Sequence, residues 1–142
     1  MINPELMELL EQNDIFDVLV DSVTYQLQKI NNVDKTSEGR DWYQELPPIV
    51  KGKFDTYKTD YTNLSRILTL DHEQIQNEMK KGYYYWRLLR SACTTYRNDL
   101  IEYDQQLLME FNLPATEAMS DNSVLNECIG VLDKHAIEKL SV

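Results

Sequence analysis

An apolar row with heptad spacing runs through the second half of this chain of 142 residues. The row begins at Ile75, ends at Leu107 and occupies ten positions at alternating steps of four and three. Such spacing puts every member on one face of an α-helix, where the members form a seam that must lie against other helices. The members are Ile75, Met79, Gly82, Trp86, Leu89, Cys93, Tyr96, Leu100, Tyr103 and Leu107. The seam therefore predicts a helix roughly 50 Å long.

A second row with the same spacing comes just before the first. It consists of Val50, Phe54, Tyr57, Tyr61, Leu64 and Leu68. Asp71 and Gln74 can cap a new helix after it, which favours a break between the rows. We therefore predict a long central helix (about 72–110) packed antiparallel on helix 48–68. One continuous kinked rod is the alternative, because "LTLDHEQ" contains no Gly or Pro.

Both ends of the chain also have helical patterns, and a segment without periodicity lies between the first pattern and the second row. Asn3 and Pro4 form a helix start, and apolar residues recur at helical spacing up to Ile30. Residues 32–47 lack periodicity and are interpreted as a connection, whereas residues 120–140 carry a last apolar face. With only four Gly and four Pro, the chain is predicted to be all-α, a single domain over 1–142 with a bundle of about five helices.

The composition excludes several classes of protein. Cys93 and Cys128 have no closely spaced partner, so neither a zinc site nor a disulfide framework is indicated. No apolar run approaches the ~18 residues needed to span a bilayer, and the first residues do not resemble a secretion signal. We therefore expect a soluble, cytoplasmic protein that does not contact membranes.

Enzyme signatures are missing from the sequence. It contains no Gly-rich phosphate loop and no nucleophile elbow. His72 and His135 are the two histidines, and neither belongs to the Glu-x-x-His pattern of metal sites in helical bundles. We expect no catalytic residue, no metal and no cofactor, so the protein is predicted not to be an enzyme.

Charge is distributed unevenly within the net −10. Residues 1–28 hold six acids and no base, residues 98–133 hold eight acids and no base, and residues 79–98 hold five bases and no acid. A basic segment therefore lies between two acidic ones.

On a continuous helix, the basic segment would form a face opposite the seam, here called the basic-aromatic stripe. It comprises Lys80, Tyr83, Tyr84, Arg87, Arg90 and Arg97. Guanidinium groups can contact phosphates while tyrosine rings stack on bases, so the stripe could bind single-stranded nucleic acid. The alternative is that the chain's own carboxylates cover it. A protein of pI near 4.6 is repelled by polyanions, which favours internal pairing.

The acidic N-terminal segment suggests a different binding surface, here called the acidic face. It comprises Glu5, Glu8, Asp14, Asp17 and Asp21. Carboxylates repeated along helices can imitate a row of phosphates or bind the basic surface of another protein. The alternatives are a solvated surface and local stabilisation of helix N-termini.

Together these patterns predict a non-catalytic protein-interaction module acting through acidic helix faces. A regulator, an inhibitor or an assembly subunit, such as phage or bacterial accessory proteins, fits this profile. A nucleic-acid-binding protein using residues 80–97 is the alternative. The long seam exceeds what helix 48–68 can cover, so either the last helix of the chain or a second copy must cover the remainder, and a homo-oligomer is predicted.

Overall fold

The computed structural model describes residues 2–112 and 116–136, except for the side chains of residues 116–122. Within these residues the chain forms seven α-helices and one short 3-10 turn, without any strand. The helices are α1 (Pro4–Leu9), α2 (Asn13–Asn32), α3 (Ser37–Glu45), α4 (Pro48–Ile67), α5 (His72–Met79), α6 (Tyr84–Phe111) and α7 (Thr116–Ala136), and the turn is Val33–Lys35. The predicted all-α bundle is confirmed.

The centre of the bundle consists of α6 packed between α2 and α7. α2 runs parallel to α6, because Ser22 lies beside Cys93 and the ring of Tyr25 lies 5.1 Å from that of Tyr96. α7 runs antiparallel to α6. Arg90 contacts Asp133 near the end of α7, whereas the later Arg97 contacts the earlier Asn126.

The first half of the seam is buried in this centre. Trp86, Leu89 and Cys93 have no exposed surface, and from α7 Leu125 and Leu132 are equally buried. Removing such side chains from water contributes ~1.5–3 kcal/mol each. The heptad row therefore identified the helix face that makes the core.

The predicted long helix over 72–110 is wrong in one respect, since it is two helices, α5 and α6, separated by residues 80–83. The Trp86 indole N–H donates to the Met79 carbonyl oxygen at 2.9 Å, so the last carbonyl group of α5 has a hydrogen-bond donor from α6. Both residues are fully buried. Gly82 in the turn is a weak helix former, which lowers the cost of the break.

The kinked-rod alternative is also wrong, because α4 ends at Ile67 and Asp71 caps α5 by accepting from the Gln74 N–H at 2.9 Å. α4 lies antiparallel to the first half of α6, as predicted. The Tyr61 hydroxyl donates to the Leu88 carbonyl at 3.0 Å, whereas the earlier Phe54 lines a cavity together with the later Thr95. However, α6 packs far more extensively on α7 and α2 than on α4.

Residues 32–47 were interpreted as a connection and are instead mostly helical, which raises the helix number above the predicted five. Thr36 caps α3 by accepting from the Gly39 N–H at 2.9 Å. A Cβ at Gly39 would come within 2.3 Å of the Val33 carbonyl oxygen, so only glycine allows the chain to fold this closely. α3 has no buried residue, which explains why its sequence shows no apolar row.

None of the helices in the described ranges is both long enough and apolar enough to cross a membrane.

The two tryptophans provide a matched test of the α5–α6 junction. Trp86→Phe removes the hydrogen bond to Met79 and leaves a buried gap, so we expect a loss of about 1–3 kcal/mol in the free energy of unfolding. Trp42→Phe, at a residue that is 49% exposed, should cost less than ~0.5 kcal/mol. Urea denaturation followed by circular dichroism measures both. Equal losses in the two variants would contradict the role given to the junction.

Candidate functional site

The basic-aromatic stripe is divided by the break between α5 and α6. Lys80 is the C-cap of α5 and Tyr83 is the N-cap of α6, so these two residues do not continue the face of α6. Lys80 is exposed. The stripe therefore does not form the single straight row that a continuous helix would give.

Three members of the stripe are bound by polar groups of other helices. The Tyr84 hydroxyl donates to Asp60 on α4, and Arg90 pairs with Asp133 on α7. Arg97 donates from Nη1 to the Asn126 Oδ1 at 3.1 Å. Three of the six residues of the basic-aromatic stripe therefore hold α4 and α7 against α6.

Two polar atoms on this side of α6 are buried without a hydrogen-bond partner among the described residues. They are Nε of Arg87 and Oγ1 of Thr94. Thr94 lies between Arg90 and Arg97 on the side of α6 that meets α7. The side chains of Arg87 and Thr94 are each only partly buried as a whole.

The acidic face lies on the outside of α1 and α2, and all five of its members are exposed. The face of α2 opposite the acids is buried, through Ile15, Leu19 and Val23. On α1, Glu5 lies 4.0 Å from Lys134 Nζ and 3.2 Å from His135 Nε2, so it connects α1 to the end of α7.

An exposed apolar surface occupies the second half of α6 and is called here the apolar end of α6. Its members are Ile101, Tyr103, Leu107, Leu108, Met109 and Phe111. Tyr25 and Lys29 contact α6 at Asp99, and α2 ends soon afterwards at Asn32. α6 continues to Phe111, where Asn112 ends it in a left-handed conformation with φ of 53°. The helix therefore extends beyond the one that covers its first half.

Two adjoining cavities form a groove between α2, α4 and α6. The larger, of about 400 Å³, is lined by Gln26, Ile30, Phe54, Tyr57, Tyr61, Leu88 and Ser91. The smaller, of about 300 Å³, shares Gln26, Ile30 and Phe54 with it and adds Lys29, Val33 and Thr95. The groove is present because α4 contacts α6 through side chains near Tyr61 and stands away from it near Phe54.

A charged contact closes one side of this groove. Lys29 Nζ and the Tyr25 hydroxyl both donate to Asp99 Oδ2, at 2.8 Å and 2.6 Å. Partial burial acts to raise the pKa of Asp99, but the two hydrogen bonds together outweigh it, and the pKa lies below its usual value. Burial and the same carboxylate raise the pKa of Tyr25, so the phenol stays protonated.

The cysteines offer no nucleophile at neutral pH. Burial raises the pKa of Cys93 to about 11 and that of Cys128 to about 12. Both thiols therefore stay protonated and contribute only packing. Among the described residues, His, Cys, Asp and Glu form no group of three that could hold a metal ion.

Comparisons with protein-family models, with curated proteins and with solved structures gave no match. Function must therefore be inferred from the surfaces of this chain.

Sequence reasoning missed the groove and the full extent of the apolar end of α6. Phe54, Tyr57 and Tyr61 were expected to be buried in a helix hairpin, whereas Tyr57 is exposed and Phe54 is only partly covered. Met109 and Phe111 follow the last seam residue and carried no periodic signal. The lack of any base from residue 98 to 133 was the one available hint that this end is a separate surface.

The contact at Asp99 predicts a specific dependence of stability on pH. Because the folded pKa of Asp99 lies below its usual value near 3.8, its contribution is fully present above about pH 5 and is lost as the pH falls through the folded pKa. At pH 7 the free energy of unfolding should therefore be lower in Asp99→Asn than in the wild type, and this difference should shrink as the pH falls below the usual value near 3.8. Urea denaturation at several pH values measures it.

The control for this prediction is Lys29→Met, which removes one of the two donors. In that background the difference caused by Asp99→Asn should be smaller at pH 7. A difference that stays constant from pH 7 to pH 2 would contradict the assignment.

Proposed function

We propose that this chain is a non-catalytic interaction protein that binds another protein through the apolar end of α6. The observation that carries the proposal is the exposure of large apolar side chains along one face of α6: Tyr103 is 55%, Leu107 is 44% and Phe111 is 64% exposed. Monomeric soluble proteins rarely expose contiguous apolar patches larger than a few hundred Å², and larger ones are typical of interaction sites.

The surrounding charges indicate the chemistry of the partner. Glu102, Asp104 and Glu110 lie on the same stretch of α6, which carries no base. A complementary surface would have an apolar centre with Lys or Arg at its rim. We therefore propose a partner protein with a basic surface, in agreement with the interpretation of the acidic sequence.

The acidic face of α1 and α2 is a second candidate contact for the same partner class. Asp14, Asp17 and Asp21 are exposed on one side of α2. Because α2 runs parallel to α6, these acids lie toward the start of α6, far from its apolar end. A partner would have to be large to contact both surfaces. A regulator, an inhibitor and an assembly subunit all fit this arrangement.

Self-association is the second candidate, and the continuity of the seam favours it. Tyr103 and Leu107 continue the row formed by Trp86, Leu89 and Cys93, so a second copy could extend the same helix packing. Repulsion between two acidic chains opposes this arrangement at low salt.

Nucleic-acid binding receives less support from the geometry. Tyr84, Arg90 and Arg97 already have partners within the chain, and any contact with phosphate would compete with those partners. The net charge of −10 adds long-range repulsion.

Charged substitutions at the apolar end of α6 test the proposal. In Leu107→Glu/Phe111→Glu, which changes two exposed residues on one face of α6, capture of the native partner should fall at least about tenfold, because two apolar contacts are replaced by charges. Ile49→Glu/Val50→Glu is the matched control, since Ile49 is 76% exposed on α4 and the added charge is the same. Quantitative mass spectrometry of captured proteins compares the three chains. Equal capture by all three would contradict the proposal.

The dependence of binding on salt concentration distinguishes a basic partner protein from a second copy of the chain. Binding to a basic protein should weaken with salt, whereas association of two acidic copies should strengthen as their repulsion is screened. Sedimentation velocity of the purified chain at low and high salt measures the second effect. A strictly monomeric chain at high micromolar concentration in both salts would exclude the homo-oligomer.

A further inference from the structure

The groove between α2, α4 and α6 has the size and the walls of a site for a small molecule. Its two cavities, of about 400 and 300 Å³, adjoin each other along Gln26, Ile30 and Phe54. Ligand sites typically measure ~300–1,000 Å³ and have mostly apolar walls with a few polar groups. Here Phe54 and Tyr57 on α4 face Leu88 on α6, so two opposite sides are apolar or aromatic.

The walls carry no net charge that would select an ion. The larger cavity is lined only by apolar side chains, tyrosines, an amide and a hydroxyl. Lys29 lines the smaller cavity, but its ammonium group is held by Asp99 at 2.8 Å. A charged ligand would lose its hydration without gaining a free counter-charge, so the groove favours an uncharged occupant.

A small polar cluster at the base of the groove can orient such an occupant. The Tyr61 hydroxyl donates to the Leu88 carbonyl, and the side chains of Gln26 and Ser91 line the same cavity as that hydroxyl. The amide of Gln26 and the hydroxyl of Ser91 keep further donor and acceptor capacity. One hydrogen-bonding group on the ligand can therefore be satisfied.

Contacts outside the groove hold its outer wall in place. Phe54 is supported by the rings of Trp42 and Tyr43, whose centroids lie 5.6 and 5.7 Å away. The Tyr43 hydroxyl donates to Asp55 at 2.9 Å, which joins α3 to α4. The groove is thus formed in the free chain, which lowers the cost of binding.

We infer that the groove between α2, α4 and α6 binds a small, uncharged molecule that contains an aromatic or alicyclic ring and one hydrogen-bonding group. The ring of the bound molecule lies between Phe54, Tyr57 and Leu88, and its hydrogen-bonding group contacts Gln26 and Ser91. This site is separate from the apolar end of α6.

The neutral aromatic amine N-phenyl-1-naphthylamine, which joins a phenyl and a naphthyl group through one N–H and fluoresces strongly in apolar sites, is the probe for the experiment. The full chain should bind it saturably with one site per chain. Ser91→Phe puts a ring into the groove from an exposed position and should weaken binding at least about tenfold. Tyr57→Ala removes part of a wall at another exposed position and should also weaken it. Thr24→Phe, at an exposed position of α2 that does not line the groove, should change binding less than about twofold.

Methyl chemical shifts locate the site directly. On titration with the probe, the signals of Ile30 and Leu88 should shift, and those of Leu107 and Leu108 should not. Absence of saturable binding, equal affinity in Ser91→Phe and the wild type, or shifts at Leu107 and Leu108 alone would overturn the inference. Shifts of Ile30 and Leu88 on raising the protein concentration without probe would assign the groove to a second copy and would also overturn it.

Discussion

Burial of the first half of α6 against α2 and α7 is the interaction on which the remaining structure depends. Trp86, Leu89 and Cys93 fill the space between the three helices, and their burial supplies the apolar contact that orders the other elements. The Trp86 indole N–H also donates to the carbonyl of Met79, the last residue of α5. Trp86 therefore both fills the core and fixes the position of the end of α5. Displacing α6 would disturb α2, α5 and α7 together.

The helices around α6 differ in length, and the candidate surfaces follow from this difference. α2 ends at Asn32, close to the level of Asp99, whereas α6 continues to Phe111. The core thus buries the early part of the seam and leaves Tyr103 and Leu107 exposed. α4 packs mainly on α2 and only lightly on α6, and the groove lies between the three helices. One surface is the part of α6 that extends beyond α2, and the other is the groove beside α4.

The sequence predicted what depends on local periodicity and missed what depends on distances between helices. The helical class and the core face of α6 were predictable, because the heptad row states which residues share a side. The break after Met79 was not, since Met79 and Trp86 keep the same register on either side of it. The groove was equally hidden, because it depends on the distance between α4 and α6, which no local pattern in the sequence encodes. The positions of the arginines were predictable, but their partners on α4 and α7 were not.

The first half of α6 is buried against α2 and α7, and we propose that its exposed second half binds a partner. Amide hydrogen exchange of the dilute chain, resolved by residue, tests this claim most directly. Protection should be strongest around Leu89 to Cys93, where the helix is buried, and should fall toward Leu107 to Phe111, where one covering helix has ended. Protection that stays equally strong to Phe111 in the dilute chain would contradict the account, because it would mean that the apolar end of α6 is already covered.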